Sequence, residues 1–207
     1  MKKRIINFLL AVSLLLTSAL FLGSCSASKA PDLESVKEEF SNLIEESAEI
    51  NKFLFGEGLP VYKRDGSEEE QSYYLTLGSQ YDGYEYVSEE SEYLTVEAMK
   101  EAAEKVYTGE YLESVYQMVF DGYADEISGV SVARYYESGE WLFQSMNYEP
   151  LIEGTRMYDY DTMKIVKPSN GEYVNVEVES ELDGERLTIT LAFSKTENGW
   201  RLDTPTY

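Results

Sequence analysis

The stretch MYDYDTMKIV, residues 157–166, alternates tyrosine with aspartate before it turns apolar. In a regular strand, Asp159 and Asp161 share one face with both methionines, while Tyr158 and Tyr160 occupy the other face. We expect helices to cover the methionine face, which would place two carboxylates in a partly apolar pocket. Burial and mutual repulsion would raise the pKa of a carboxyl group there, so that one acid could act as a general acid or base.

The same stretch also allows a structural interpretation. A bulge or a later strand start would turn Asp159 and Asp161 to solvent and would point Tyr158 and Tyr160 inward. Structural carboxylates outnumber catalytic ones, and this favours the second arrangement.

Aromatic residues are a second unusual signal, since the chain has 18 tyrosines and two tryptophans. Aromatic rings beside carboxylates suit sugar or peptide recognition, because the ring stacks on apolar C–H surface while the acid accepts hydroxyl hydrogens. Trp141 and Trp200 therefore join Tyr158 and Tyr160 as candidates for the lining of a ligand pocket. The competing interpretation, favoured for both tryptophans and most tyrosines, is that they fill the core and the strands.

The sequence gives little support for a metal site or for catalysis that depends on histidine. The turn DGYADE, residues 121–126, could collect calcium through Asp121, Asp125 and Glu126, but it lacks the spacing of an EF-hand loop, and an acidic helix-ending turn is favoured. The chain has no histidine. This excludes Ser-His-Asp triads, Cys-His pairs, HExxH metalloprotease sites and most zinc sites, and no motif predicts a cofactor.

Three amphipathic helices are predicted to position these residues. The first starts at Leu33 with Asp32 as its cap, repeats apolar residues every three or four positions, and ends near GEGLP, residues 56–60. The second starts after Thr95 and the third after Thr108, and this pair ends at Gly122. Residues 61–92 predict only strand fragments or ordered loops.

Beyond Gly122 the apolar period shortens to two, which predicts a change from helix to sheet. Short turn signals, such as Asp183-Gly184, separate successive strands of an antiparallel meander with one apolar face. The alternation points Ile189 and Trp200 inward and Thr188 outward. Because the helices need an apolar face and the sheet offers one, the predicted fold class is α+β with the helices packed on the sheet.

The N-terminus carries the clearest motif. A basic start, residues 2–4, precedes an apolar stretch over residues 5–22, which Gly23, Ser24 and the chain's single cysteine, Cys25, follow. This is the layout of an export signal. The residues LGSC at 22–25 resemble the lipobox of bacterial lipoproteins, in which the cysteine receives a diacylglycerol and becomes the new N-terminus.

That resemblance implies a signal peptide over residues 1–24, a lipidated Cys25 and a tether over residues 25–31. One alternative is an ordinary signal peptide with a chance cysteine nearby. The other is a transmembrane helix, which the polar residues of the apolar stretch and the position of Cys25 disfavour.

The part after the signal peptide is strongly acidic. The chain has a net charge of −22, and residues 1–24 hold three basic and no acidic residues, so the remainder carries −25. Nucleic acids and anionic lipid surfaces repel such a chain, so we expect no nucleic-acid partner, and the covalent lipid must supply membrane attachment. No cysteine is left for a disulfide, and residues 32–207 are long enough for one domain with an apolar core.

The order of elements, helices first and then a curved antiparallel sheet ending in ENGWRLDTPTY (residues 197–207), resembles the NTF2-like or cystatin-like α+β superfamily. The resemblance implies a cone whose sheet wraps around a long helix. Catalytic members usually place Asp, His and Tyr inside the cone, and the His is missing here.

These observations predict a lipid-anchored module on the outer face of the bacterial cytoplasmic membrane or in the cell envelope. We expect it to bind or assemble without catalysis, with a small ligand, a glycan or an envelope protein as its partner. The alternatives are a small-pocket isomerase or lyase that uses Asp159 or Asp161, and a scaffold that binds only proteins. The oligomeric state stays open.

Overall fold

The computed structural model describes residues 28–62, 83–124, 131–152 and 154–207. Its helices are α1 (Leu33–Leu54), α2 (Val96–Val106) and α3 (Gly109–Tyr116), and α3 continues as a π-helical turn over Gln117–Asp121. Its strands are β1 (Tyr84–Tyr86), β2 (Tyr123–Ala124), β3 (Ser131–Val132), β4 (Tyr135–Ser138), β5 (Trp141–Ser145), β6 (Met157–Val166), β7 (Tyr173–Leu182), β8 (Glu185–Thr196) and β9 (Gly199–Leu202). The fold class is therefore α+β, as the sequence predicted.

Most strands belong to two antiparallel sheets. One has the order β1-β5-β4 and the other the order β6-β7-β8-β9, while β2 and β3 form a separate two-stranded ribbon. Val178 of β7 pairs with Ile189 of β8, and both point towards the helices. Trp200 is buried and Thr188 is exposed, as the alternation predicted, but Leu187 is exposed and Ala192 is buried, so β8 alternates only in part.

Helix α1 contacts both sheets and lies at the centre of the core. Near its N-terminus, the Phe40 ring stacks on Phe193 of β8 at a centroid distance of 3.9 Å and meets the edge of Trp200 at 5.4 Å. Near its C-terminus, the Tyr135 hydroxyl of β4 donates to the Phe53 carbonyl oxygen at 2.8 Å. One buried cluster thus contains residues of all three helices and of both sheets, and its burial is the main stabilising term.

Capping hydrogen bonds explain where the helices begin. Thr95 and Thr108 each accept, through Oγ1, the backbone N–H three residues later, which is the N-cap pattern predicted for α2 and α3. Asp32 occupies the N-cap position of α1, but its side chain makes no capping bond. Its backbone oxygen instead accepts the N–H and the hydroxyl of Ser35.

The hairpin of β4 and β5 does not continue the meander, contrary to the sequence prediction. On its other side β5 pairs with β1, and Tyr86 lies opposite Phe143. After β5 the chain passes the C-terminal end of α1, where the N–H groups of Leu151 and Ile152 both donate to the Phe55 oxygen. This detour separates β5 from β6, so the two strands enter different sheets.

Candidate functional site

A bulge in β6 decides which of its side chains face α1. Asp159 pairs with Glu179 and Lys164 pairs with Glu177, so five steps along β6 match two steps along β7. Thr162 fills the gap, because its hydroxyl donates to the Asp159 oxygen at 2.6 Å and accepts the N–H of Glu179 at 2.8 Å. Strand β6 therefore contains three residues more than β7 over this interval, since five steps match two. Because three is an odd number, the alternation of side chains shifts by one, and positions that would face solvent after the bulge face α1 instead.

The sequence allowed two arrangements of β6, and the bulge produces the one in which the tyrosines point inward and the aspartates point to solvent. Before it, Arg156, Tyr158 and Tyr160 are half-buried on the side of α1, while Met157 and both aspartates are exposed. After it, Met163 is buried. The arrangement of a regular strand, in which both acids share a covered face with both methionines, does not occur, because the two methionines lie on opposite faces.

Both aspartates make structural contacts on the solvent side. Asp159 Oδ1 accepts the N–H of Asp161 at 3.1 Å and so supports the bulge. Asp161 Oδ1 lies 3.0 Å from Lys37 Nζ of α1, although 95% of the Asp161 side chain is exposed. Asp159 also borders a shallow outer groove of about 160 Å³, together with charged residues of β7 and β8.

The inward side chains of β6 line a pocket of about 330 Å³. Its walls come from α1, from residues 152, 154–158 and 160, and from residues 206–207. Ile44, Ala48 and Ile152 contribute apolar surface, and Tyr158 and Tyr160 contribute ring surface. The two rings are nearly parallel, at 3° with their centroids 6.3 Å apart. A pocket of this size suits a small ligand, at the lower end of the usual range.

A hydrogen-bond network holds the wall of the pocket in place. We name it the Thr206 network, and its members are Ser47, Asn51, Tyr107, Tyr158 and Thr206. Tyr107 donates to Asn51 Oδ1 at 2.8 Å, and Asn51 Nδ2 donates to Thr206 Oγ1 at 2.8 Å. The Ser47 hydroxyl lies 2.6 Å from Thr206 Oγ1, and the Tyr158 hydroxyl donates to the Thr206 carbonyl oxygen. The C-terminal segment is thereby tied to α1 and β6, so the pocket walls are preorganised.

The tyrosines of the site remain protonated at neutral pH. Burial raises the pKa of Tyr107 to about 12. Burial, together with the Glu45 carboxylate, raises the pKa of Tyr160 to about 12. Burial also raises the pKa of Tyr158, and the nearby Arg156 guanidinium opposes this only in part. These hydroxyls can exchange hydrogen bonds with a ligand, but they do not supply a base near pH 7.

Arg156 places a positive charge at the pocket. Its Nη1 donates to the buried Ser180 hydroxyl at 3.1 Å, and its Nε is buried without a hydrogen-bond partner. Among the described residues, no carboxylate lies within ion-pair distance of this guanidinium. Lys52, the other cation of the pocket, pairs with Glu49 at 2.8 Å. Acids outnumber bases 39 to 17 in this chain, so an arginine without an ion-pair partner among the described residues is unusual. Glu45 also lines the pocket.

The two tryptophans lie away from this pocket. Trp200 is buried and packs edge-on against Phe40, as the core interpretation predicted. Trp141 is half-buried, with its ring 5.7 Å from that of Tyr86, and it lines a separate groove of about 460 Å³ near Leu94. Neither ring therefore stacks on a ligand in the pocket.

The remaining predicted residues lie at the edges of the described chain or outside it. Asp121 is exposed at the end of the π-helical turn, whereas Asp125, Glu126 and Cys25 fall outside the described residues. Within the described ranges, no group of three or more acidic, histidine or cysteine side chains could hold a metal ion. Nor does any helix in that part of the chain combine the length and apolar character that crossing a membrane requires.

The sequence predicted Tyr158 and Tyr160 as pocket residues, but it did not predict Arg156, Asn51 or Thr206. The signal for Arg156 was present, because positions 156, 158 and 160 alternate on one face of the strand. Asn51 and Thr206 carry no such local signal, since α1 and the C-terminal segment meet only in the folded chain.

Comparison with known proteins assigns the chain to no family, because no family model matches it. No curated protein matches its sequence either.

Proposed function

We propose that the protein is a bacterial cell-envelope lipoprotein, anchored through Cys25 outside the cytoplasmic membrane, whose domain binds a small anionic ligand without catalysing a reaction. Arg156 carries the binding proposal, because its guanidinium borders the pocket with a buried unpaired Nε and no acidic partner in the described chain. The anchoring part rests on the residues LGSC at 22–25.

The chemistry of the pocket favours a monoanion with an apolar body. A guanidinium binds a carboxylate through parallel charge-assisted hydrogen bonds, which suits a planar anionic group. The rings of Tyr158 and Tyr160 and the apolar side chains of α1 would cover the rest of the molecule. Glu45, which also borders the pocket, would repel a second negative group.

The isomerase or lyase hypothesis required Asp159 or Asp161 inside a covered pocket. Both side chains are exposed on the other face of β6, so the geometry gives that hypothesis no support.

We also propose that the domain is a member of the NTF2-like superfamily. A 22-residue helix packed against a four-stranded antiparallel sheet, with the final strand at Gly199–Leu202, supports this assignment. An experimental structure tests it, because membership requires the sheet to curve around α1.

Lipidation is tested by labelling cells with radioactive palmitate. We expect the wild type to incorporate label and Cys25→Ala to incorporate none. Stable anchoring also requires the wild type to remain with membranes after a salt wash, because two acyl chains hold a protein far more firmly than one. Equal labelling of the two proteins would contradict the lipoprotein assignment.

Ligand binding is tested with the purified lipoprotein in detergent micelles. The probes are small aryl and alkyl carboxylates, each compared with its methyl ester, and calorimetry or ligand-observed NMR measures binding. We expect carboxylates to bind and their esters to fail. Arg156→Gln should weaken carboxylate binding roughly ten- to hundredfold, because a hydrogen bond to a charged group contributes about 1.5–3 kcal/mol.

Two further variants make this experiment specific. Arg186→Gln removes an exposed arginine that pairs with Glu181, and we expect it to leave carboxylate affinity unchanged. Arg156→Lys keeps the charge but loses the guanidinium fork, so its affinity should fall between those of the wild type and Arg156→Gln. Equal binding of acids and esters would contradict an anion site at Arg156. So would an equal loss of carboxylate affinity in Arg156→Gln and Arg186→Gln.

A further inference from the structure

The segment that follows the predicted lipid anchor is docked onto one end of the larger sheet. The backbone oxygen of Ser28 accepts the N–H of Gly171, in the turn between β6 and β7, at 2.9 Å. The approach is so close that a Cβ on Gly171 would overlap Ser28 Oγ and would lie 2.8 Å from Ser28 Cβ. Glycine at this position is what allows the docking.

The length of chain limits how far Cys25 can lie from that turn. Three peptide units join Cys25 to Ser28, and each spans 3.8 Å between Cα atoms, so the two Cα atoms are at most about 11 Å apart. A diacylglycerol on Cys25 is held in the membrane. The β6–β7 turn must therefore remain close to the bilayer surface whenever Ser28 is docked.

We propose that the end of the domain that carries residues 167–172 faces the membrane, so that the ligand pocket lies away from the bilayer. This inference rests on the proposed lipidation of Cys25, and it adds the orientation of the domain relative to the membrane. Tyr158 pairs with Ser180, whereas the turn precedes Tyr173. Seven residues of strand β7, at about 3.3 Å each, separate the pocket from the membrane end by roughly 23 Å.

The charge distribution is compatible with this orientation. Lys29, Lys167 and Lys195 are exposed at the membrane end, and none of them forms an ion pair within the described part of the chain. Exposed acids lie there too, among them Asp32, Glu34, Glu172 and Glu197, and Glu39 Oε1 accepts the N–H of Trp200. The three lysines lower the repulsion between this end and an anionic lipid surface, and the covalent lipid supplies the attachment.

The orientation is tested by depth-dependent fluorescence quenching of the lipidated full chain in phosphatidylcholine vesicles. Glu172→Cys and Glu185→Cys each introduce one exposed thiol for a fluorophore, with the same change of charge, while the lipid on Cys25 blocks the native thiol. The two positions flank β7 and lie about 30 Å apart. A lipid with a spin label on its headgroup should remove most of the fluorescence at position 172 and little at position 185.

Gly171→Ala tests whether the docked tether sets the orientation. The added methyl group would displace Ser28, so the difference in quenching between the two positions should shrink. Gly109→Ala is the matched control, because a Cβ there meets no atom within 4 Å, and it should leave the difference unchanged.

The outcomes separate the orientation from the proposals on which it rests. Equal quenching at both positions, or stronger quenching at 185, in protein that carries the lipid would overturn the orientation alone. Failure of Cys25 to take up lipid would overturn the anchoring and the orientation together. Carboxylate binding in micelles is measured separately, so neither the quenching result nor the lipidation result decides the binding proposal.

Discussion

Arg134 is buried beside the C-terminal end of α1, and its guanidinium binds backbone oxygens rather than a carboxylate. Nη1 donates to the Leu54 oxygen at 2.9 Å, and Nη2 donates to the Gly56 oxygen. The guanidinium carbon also lies 4.4 Å from the centroid of the Tyr148 ring. Leu54 is the last residue of α1, so its oxygen lies at the negative end of the helix dipole, which stabilises the charge of Arg134.

We predict that Arg134→Met lowers the free energy of unfolding by about 2–4 kcal/mol, because two charge-assisted hydrogen bonds are lost and two buried oxygens are left unpaired. Urea denaturation followed by circular dichroism measures this change. Arg186→Met is the control, since that side chain is 80% exposed, and it should change stability by no more than about 0.5 kcal/mol. Similar losses in both variants would show that Arg134 does not stabilise the helix end.

At the scale of elements, the bulge in β6 positions the candidate site. A regular strand would direct Asp159 and Asp161 at α1, whereas the bulged strand directs Tyr158 and Tyr160 there. The sequence allowed both arrangements, because the apolar pattern alone does not reveal an insertion. What decides between them is Thr162, whose hydroxyl replaces a ladder hydrogen bond to β7.

We predict that Thr162→Val, which keeps the side-chain shape and removes the hydroxyl, lowers the free energy of unfolding by about 0.5–1.5 kcal/mol, because the exposed N–H of Glu179 loses its protein acceptor. It should also shift the NMR signals of Tyr158 and Tyr160 and weaken carboxylate binding. Thr188→Val, on the exposed face of β8, should have almost no effect on stability, since its side chain lies in solvent. A Thr162→Val protein with unchanged tyrosine signals would contradict this role of the bulge.

The elements differ in how well the sequence predicted them. The three helices and the β7–β8 hairpin were predicted closely, because their caps, apolar periods and turn residues all lie within a short stretch of chain. The pairing of β5 with β1 was not predicted, since the paired residues, such as Tyr86 and Phe143, are far apart in sequence. Arg156 alternates with Tyr158 and Tyr160 in the sequence, but its lack of an ion-pair partner among the described residues is visible only in three dimensions.

At the scale of the whole molecule, α1 joins two sheets that share no strand. Phe40 packs on the larger sheet, while Phe53 binds Tyr135 of the smaller one. The C-terminal segment then closes against α1 through Thr206 and Asn51. Residues from both ends of the described chain therefore form the pocket, so its shape depends on the whole fold rather than on one local motif.

The titration behaviour of the whole molecule follows from an absence of histidine and an abundance of buried tyrosine. No side chain other than Cys25 ordinarily changes its charge between about pH 6 and pH 9, so stability should be nearly constant there. Burial raises the pKa of Tyr107 and of Tyr135 to about 12, whereas in the unfolded chain a tyrosine has a pKa of about 10.

The sign of the effect follows from proton uptake. Between about pH 10 and pH 12 the unfolded chain has released tyrosine protons that the folded chain retains, so the free energy of unfolding falls as the pH rises. The contribution of each such group is complete below about pH 10 and is lost as the pH passes about 12, and for Tyr107 it amounts to about 2–3 kcal/mol.

We predict that urea midpoints stay constant from about pH 6 to pH 9 and then fall steeply, with tyrosinate absorbance appearing together with unfolding. Tyr107→Phe removes one of the retained protons, so the slope of stability against pH above about pH 10 should become shallower by up to 1.4 kcal/mol per pH unit, roughly one proton. Tyr62→Phe, at an exposed tyrosine, should leave the slope as it is in the wild type. Tyrosinate absorbance that rises before the fold is lost, or a slope that Tyr107→Phe does not change, would show that Tyr107 is not held protonated by its burial in the Thr206 network.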